Sequence, residues 1–225
     1  LPLQARSTAR RLAISEKCLS YSLKVKLHPM PAAAQPKPLL NQTAIVTGAS
    51  SGIGAGIAKA FAAAGANVVV NYVGSDEAAR TIVDGIIAAG GHAISIQTDV
   101  SQEDQVQQMF RQTLEAFKTV DILVANAGIQ QDAPLTEMTI EQWNRVISVN
   151  LTGQFLCVRE AVKQFLQQGI REGISRAAGK IICMSSVHQV IPWAGHVNYA
   201  TSKGGIKMMM QSVAQEVARH KIRVN

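Results

Sequence analysis

Cysteine is scarce in this chain: three residues in 225, at Cys18, Cys157 and Cys183, with no C-x-x-C spacing. That excludes a disulfide-stapled fold and offers no thiolate set for a metal, so isolated reduced thiols inside an intracellular protein are expected. No uninterrupted apolar run approaches the ~18 residues that a membrane-spanning helix needs, so no membrane partner is expected. Acidic residues are almost missing from the first 38 positions, where seven Lys and Arg face Glu16 alone. That segment therefore carries +6 of the chain's +7, and residues 39–225 carry only +1. The excess charge does not form a basic stripe on a folded domain, and nucleic acid is not an expected partner.

Residues 1–38 are Arg- and Ser-rich and end in a proline-laden stretch from Pro29 to Pro38. They read as a disordered leader with a transit-like composition. A cytoplasmic location is expected, or import into an organelle if the leader is a working transit peptide. The chain opens on Leu1, and Met30 is an alternative start. With 47% apolar residues, the remainder is long enough for one α/β domain over 39–225 with a substantial core.

From Leu39 onward strand-like and helix-like segments alternate. Buried strands are expected at 43–47, 66–72, 92–98, 121–125 and 180–184, with a sixth beginning at 222–225. Helices are expected at 55–64, 75–89, from Ser101 to about 118, from Thr139 to about 149, at 152–168 and at 197–220. Ser101 and Thr139 each stand three residues before a capping partner, Asp104 and Gln142. Alternation of this kind predicts a parallel sheet covered on both faces, the doubly wound Rossmann-type arrangement, in a single domain.

Between the first strand and first helix lies Gly48-Ala49-Ser50-Ser51-Gly52-Ile53-Gly54. Small residues there let backbone approach a pyrophosphate, and the following helix start offers unpaired N–H groups and a positive dipole end. A dinucleotide is the expected ligand. An acid at the end of the second strand would bind the adenosine ribose hydroxyls and repel a 2′-phosphate. Here Asn71-Tyr72-Val73-Gly74 brings no carboxylate before Asp76 and no cation to clamp a phosphate. At Asn71 and Tyr72 NADP is favoured slightly over NAD, with use of both close behind; the alternative is that these two residues merely end the strand.

Tyr199 and Lys203 are four residues apart, hence one turn apart on one helix face. A phenol beside an ammonium gives up its proton more readily. Ser186 precedes Tyr199 by thirteen residues, just after the fifth strand. Hydroxyl, phenol and amine together suit proton exchange with an alcohol or carbonyl oxygen, chemistry that still needs a hydride carrier.

These features, with Asn126-Ala127-Gly128 after the fourth strand and Asn150 in VNLTG, resemble the short-chain dehydrogenase/reductase family over 39–225. The resemblance implies an NAD(P)-dependent oxidoreductase. Tyr199 would be the acid/base, Lys203 would bond the nicotinamide ribose, and Ser186 would hold the substrate oxygen. Asn150 would bind, through its backbone, a water linking Lys203 to solvent. The turn Gly48, Ser50, Ser51, Gly52, Ile53 and Gly54, the pair Asp99 and Val100, and Asn126, Ala127 and Gly128 would hold the cofactor. The run from Val187 to Trp193, with His196-Val197-Asn198, is similar to the glucose 1-dehydrogenase branch, implying an aldose contacted by Ser186, His188, His196 and Tyr199. The alternatives are a carbonyl or 3-oxoacyl thioester reductase and, in a different class, a non-catalytic nucleotide-binding fragment. The family continues past a sixth strand and assembles as homotetramers through its two long helices. The chain ends at Asn225, so a fragment missing the last strand is expected, unstable or inactive by itself.

Overall fold

The computed structural model describes residues 37–225, so the first 36 positions of the expected leader lie outside the described residues. Six strands form one parallel sheet: β1 (Thr43–Val46), β2 (Asn67–Tyr72), β3 (His92–Gln97), β4 (Ile122–Ala125), β5 (Gly179–Cys183) and β6 (Ile222–Val224). Their order is β3-β2-β1-β4-β5-β6. Six α-helices connect them: α1 (Gly52–Ala63), α2 (Asp76–Ala88), α3 (Glu103–Phe117), α4 (Ile140–Ile147), α5 (Gly153–Gln168) and α6 (Val197–Val217). The chain winds outward from β1 to β3, then returns to β4 on the other side of β1. That reversal opens a crevice beyond the carboxyl ends of β1 and β4, where such folds bind ligands.

Side chains alternate across the sheet and so build two cores. Ala44 and Val46 of β1 face Val68, Val70, Ile122 and Val124 on one side, under Ala58 of α1 and Ile86 of α2. Ile45 points the other way, with Val69, Leu123 and Ile181, against Met109 and Phe110 of α3 and Phe165 of α5. Alanines on α1 allow a close approach to the sheet. At β5, Gly179 lies so near the Phe165 ring that no side chain fits between them. Below the amino ends of the strands, buried Asp121 accepts from the Thr43 N–H at 2.8 Å and pairs with Arg171 at 2.7 Å.

Most expected elements are present with boundaries shifted by one to three residues. Helix α1 begins at Gly52, earlier than the apolar pattern indicates, because the glycine turn itself supplies its first residues. The box expected at Thr139 forms: its hydroxyl accepts from the Gln142 N–H, and the Gln142 side chain accepts from the Thr139 N–H. The one expected at Ser101 does not. Helix α3 is capped by Gln102 without a side-chain bond, while the Ser101 hydroxyl donates to Asp99 Oδ1 at 2.6 Å. Residues 139–149 and 152–168, expected as separate helices, run together through a π-helical turn at Ser148–Thr152. Among the described residues no helix is long and apolar enough to cross a membrane.

Candidate active site

The turn after β1 is shaped by its glycines. Gly48 and Gly52 have φ of +61° and +53°, a left-handed conformation that side chains disfavour. A Cβ on Gly54 would lie 2.7 Å from Asn126 Nδ2 and 2.9 Å from Ala49 Cα, so this position must stay bare. Thr47 Oγ1 accepts from the N–H groups of Asn126 and Ala127, both at 2.9 Å. Asn126 Nδ2 in turn donates to the carbonyls of Thr47 and Gly48. The β1 and β4 ends are thereby locked together around the crevice. Ser51 precedes α1 without a side-chain cap, and the first turn carries no acid. Its N–H groups have no partner within the helix and the dipole end is positive, which suits a pyrophosphate.

The resulting cleft measures about 630 Å³. Gly48, Ser50, Ser51, Gly52, Ile53 and Gly54 line one side, and Tyr72, Asp99 and Val100 the adjoining wall. Asn126, Ala127 and Gly128 line the opposite side, leading to Tyr199 and Lys203. Asn71 sits behind the wall, 1% exposed: its Oδ1 accepts from the Gly48 N–H at 3.0 Å and its Nδ2 donates to the Thr98 carbonyl at 3.1 Å. It shapes the cradle through the glycine turn, and no part of it lines the cleft. Burial alone would raise the Asp99 carboxyl, but bonds from Ser101 and the Arg145 guanidinium at 3.5 Å hold it below the usual range.

Lys203 is 4% exposed, and burial pushes its amine down to about 8. Nζ donates to the Met184 carbonyl at 3.0 Å and lies 5.5 Å from the Tyr199 ring centre. Ser186 Oγ accepts from the His188 N–H at 3.2 Å, capping a short 3₁₀ turn at Val187–Gln189. That leaves the hydroxyl hydrogen free to donate. Asn150, fully buried on the π turn, clamps the loop after β4: Oδ1 accepts from the Ile129 N–H at 2.7 Å, while Nδ2 donates to the Ile129 carbonyl. Nδ2 also donates to Ser202 Oγ at 3.1 Å, tying this loop to α6 beside Lys203. A Cβ on Gly128 would lie 3.3 Å from Asn150 Oδ1 and 3.7 Å from Lys203 Nζ.

On the outer side of Tyr199 three rings form a stack. His188 lies on one face of Trp193 with centroids 4.3 Å apart, and His196 covers the other face at 3.4 Å. Both His196 nitrogens are engaged, Nδ1 with the Ala194 carbonyl and Nε2 with Asp132. His188 engages Nδ1 with the Ile191 carbonyl, leaving Nε2 for a ligand. Asn198 is fully buried: Nδ2 donates to the Gln131 carbonyl and Oδ1 accepts from the Tyr199 N–H.

Some contributors escaped the sequence reading. Ser185 and Met184 line the cleft, and their place beside Ser186 was a usable signal. Arg145, Ile129 and Gln130 also line it, brought there by packing alone. Gln154, 2% exposed, donates from Nε2 to the same Met184 carbonyl that receives Lys203.

Comparison with known proteins gives a consistent answer for a chain with this cradle and with Tyr199 and Lys203 in one cleft. The family model described as short chain dehydrogenase matches residues 42–225. The 3beta-hydroxysteroid dehydrogenase 1 of Eggerthella lenta is 44% identical over 187 residues, 83% of this chain and 69% of that protein. A 3-oxoacyl-[acyl-carrier-protein] reductase of Synechocystis is 43% identical, covering 83% and 72%. Glucose 1-dehydrogenase 2 of Bacillus subtilis is 43% identical, covering 84% and 71%. A crystal structure of a dehydrogenase/reductase from Sinorhizobium meliloti superposes with a TM-score of 0.77 at 36% identity, covering 83% and 71%.

Proposed function

The chain belongs to the short-chain dehydrogenase family, and on that premise we propose that it oxidises an aldose such as glucose at its anomeric carbon. Relatives of nearly equal identity bear steroid, acyl-carrier and glucose names, so the choice rests on the site. What supports a sugar is the ring nitrogen that His188 keeps free, on a ring 6.5 Å from that of Tyr199. A polyol needs several hydrogen-bond partners of this kind.

The cradle fits a nicotinamide dinucleotide: a bare Gly54, left-handed Gly48 and Gly52, and an uncapped helix start with no acid. When bound, the cofactor supplies the hydride acceptor. NADP is favoured over NAD because the lip at Tyr72, Val73 and Gly74 presents no free carboxylate. The nearest acid, Asp76, accepts the Tyr72 hydroxyl at 2.8 Å and pairs with Arg80. Its charge is already answered, which weakens repulsion of a 2′-phosphate. Asp99 and Val100 flank the adenine end, and Asn126, Ala127 and Gly128 hold the other side.

In this reading Ser186 donates its free hydroxyl hydrogen to the substrate oxygen. Tyr199 takes the proton from that oxygen as the alcohol becomes a carbonyl. Lys203, whose Nζ lies 5.5 Å from the Tyr199 ring centre, would stabilise the negative charge on the phenol oxygen and bond the cofactor ribose. Asn150 fixes the loop that carries Gly128 against Lys203, and its backbone would hold the relay water. The proposal assigns catalysis to residues 39–225 and none to the leader 1–38. Phe155 and Leu166, 45% and 48% exposed on α5, suit burial in a homotetramer.

Steady-state assay of the full-length protein with glucose, NADP and NAD tests the proposal. The expected result is glucose oxidation with NADP ahead of NAD. Retained NADPH binding without turnover of any aldose would sink it. A second reading, reduction of a carbonyl or 3-oxoacyl thioester, has the exposed apolar residues Val187, Val190 and Ile191 in its favour. Faster turnover of an acetoacetyl thioester than of glucose would select it.

A further inference from the structure

We propose that Gln154 is a positioning residue for Lys203: it shares the Met184 carbonyl with the lysine and keeps that bond weak enough for the ammonium to be released toward the cofactor ribose and Tyr199. Gln154 stands in the first turn of α5, four positions after Asn150, and is 2% exposed. Its Nε2 donates to the Met184 carbonyl at 3.0 Å, and Lys203 Nζ donates to the same oxygen at 3.0 Å. The two nitrogens are therefore no farther apart than twice that distance.

The amide can face only one way. Turned over, it would set Oε1 against the Met184 oxygen, and two acceptors form no bond. The orientation it takes leaves Oε1 buried without a donor among the described residues. A buried acceptor of this kind is destabilising, and a methionine or leucine would fill similar space without one. What the glutamine adds is an N–H on the carbonyl that holds Lys203.

The shared oxygen is fixed in place. Met184 follows β5, and its N–H donates to the Ala125 carbonyl at the end of β4 at 3.0 Å. The start of α5 is fixed as well: a Cβ on Gly153 would lie 2.7 Å from Val100 Cγ2. A carbonyl oxygen has two lone pairs and accepts both donors. The amide hydrogen is partly positive, however, and repels the ammonium that approaches the same oxygen. The bond to Lys203 is then weaker than the ammonium would make alone, and Nζ can swing toward the ribose and the phenol. That release matters to turnover only with Lys203 in the role the proposed reaction gives it; the shared carbonyl does not depend on it.

The groups facing Nζ supply no charge. From the loop after β4 comes Gly128, where a Cβ would lie 3.7 Å from Nζ. The titratable neighbour on α6 itself is Tyr199, its ring centre 5.5 Å away, and His188 of the 3₁₀ turn stands 6.5 Å beyond, ring to ring. Asn150 of the π turn is bonded to Ser202, and the charged pair lining the same cleft, Asp99 and Arg145, is bonded together. Burial holds the Cys183 thiol, next to Met184 in the chain, up at about 11. The Lys203 amine is lowered by burial, with no charged neighbour contributing.

Gln154→Met removes the shared donor and keeps similar volume. In the wild type, the folded-state Lys203 amine at about 8 lies below its ordinary 10.5, so stability rises with pH between the two. In Gln154→Met the ammonium is held more firmly and its amine moves up, so the rise is expected to begin about half a pH unit or more later. Urea unfolding of the full-length protein across pH 6.5 to 10.5 reads it. A role in packing alone gives the opposite sign, because added apolar surface desolvates the ammonium further and brings the rise earlier. An onset that stays in place or moves to lower pH overturns the proposal. So does a shift that persists when the same substitution is made in Lys203→Met, since the effect must run through the lysine. Gln154→Leu repeats the measurement with a second side chain. Failure of both variants to fold would also overturn it, by making the amide a structural necessity. These readings need no substrate, so failure of aldose turnover bears on the proposed reaction and not on Gln154. Where glucose is turned over, a lysine held on Met184 favours the phenolate less, and the acid limb of kcat/KM is expected to move to higher pH in Gln154→Met. An unmoved limb would count against the proposal.

Discussion

Replacing Lys203 with Met is expected to stabilise the folded protein at neutral pH while abolishing turnover. The ammonium lies in a site where it is 4% exposed, and burial pushes it from 10.5 to about 8. Such a fall corresponds to about 3 kcal/mol of disfavour for the charged form in the folded state. Met fills similar volume and carries no charge. It forfeits the bond to the Met184 carbonyl, about 1 kcal/mol, but that oxygen keeps the Gln154 amide as a donor. The balance is a gain of about 2 kcal/mol at pH 7. Below pH 8 the lysine is protonated in both states, and the folded wild type bears the full penalty. Between pH 8 and 10.5 the folded state has lost its proton and the unfolded state has not, so wild-type stability rises with pH. The gap between variant and wild type therefore narrows through that window, and above it the wild type leads by about 1 kcal/mol, the bond the variant lacks. Urea unfolding of both proteins from pH 6.5 to 10.5 measures it. A variant less stable than wild type at pH 7, or a gap that does not depend on pH, would refute the reasoning.

Gly54→Ala places a methyl against backbone at Ala49 and against the Asn126 amide, neither of which can yield without opening the cradle. Affinity for NADPH, measured by fluorescence titration, is expected to fall roughly tenfold or more. Asp121→Asn breaks the buried pair with Arg171 at the sheet end opposite the cleft, and denaturant unfolding is expected to show a loss of about 3 kcal/mol with NADPH affinity unchanged. Asn71→Ala leaves the Gly48 N–H without its acceptor, so both stability, by about 2 kcal/mol, and NADPH affinity are expected to fall. Burial pushes the thiols of Cys157 and Cys183 up to about 12 and about 11. Both are expected to resist maleimide at pH 7.5 until urea is added, with mass-spectrometric mapping as the check.

What the sequence by itself determined was whatever depends on local spacing. Alternating apolar runs and turn residues set the six strands and their helices, since a period of two or of 3.6 is written along the chain. The glycine turn was legible because positive φ and bare backbone demand glycine at fixed offsets. Tyr199 and Lys203 were legible because a four-residue spacing puts them on one helix face. What only the tertiary structure decided depends on residues distant in sequence. Asn71 reads as a cofactor contact at the end of β2, yet the fold buries it and turns its amide toward Gly48 and Thr98. Ser101 reads as a helix cap, but the helix starts one residue later with Gln102 at the cap, and the Ser101 hydroxyl donates to Asp99 instead. His196 reads as a sugar contact until the loop after β4, some sixty positions earlier, brings Asp132 against it. Hydrogen-bonding capacity is finite, and which partner takes it is settled by packing, which no local pattern records.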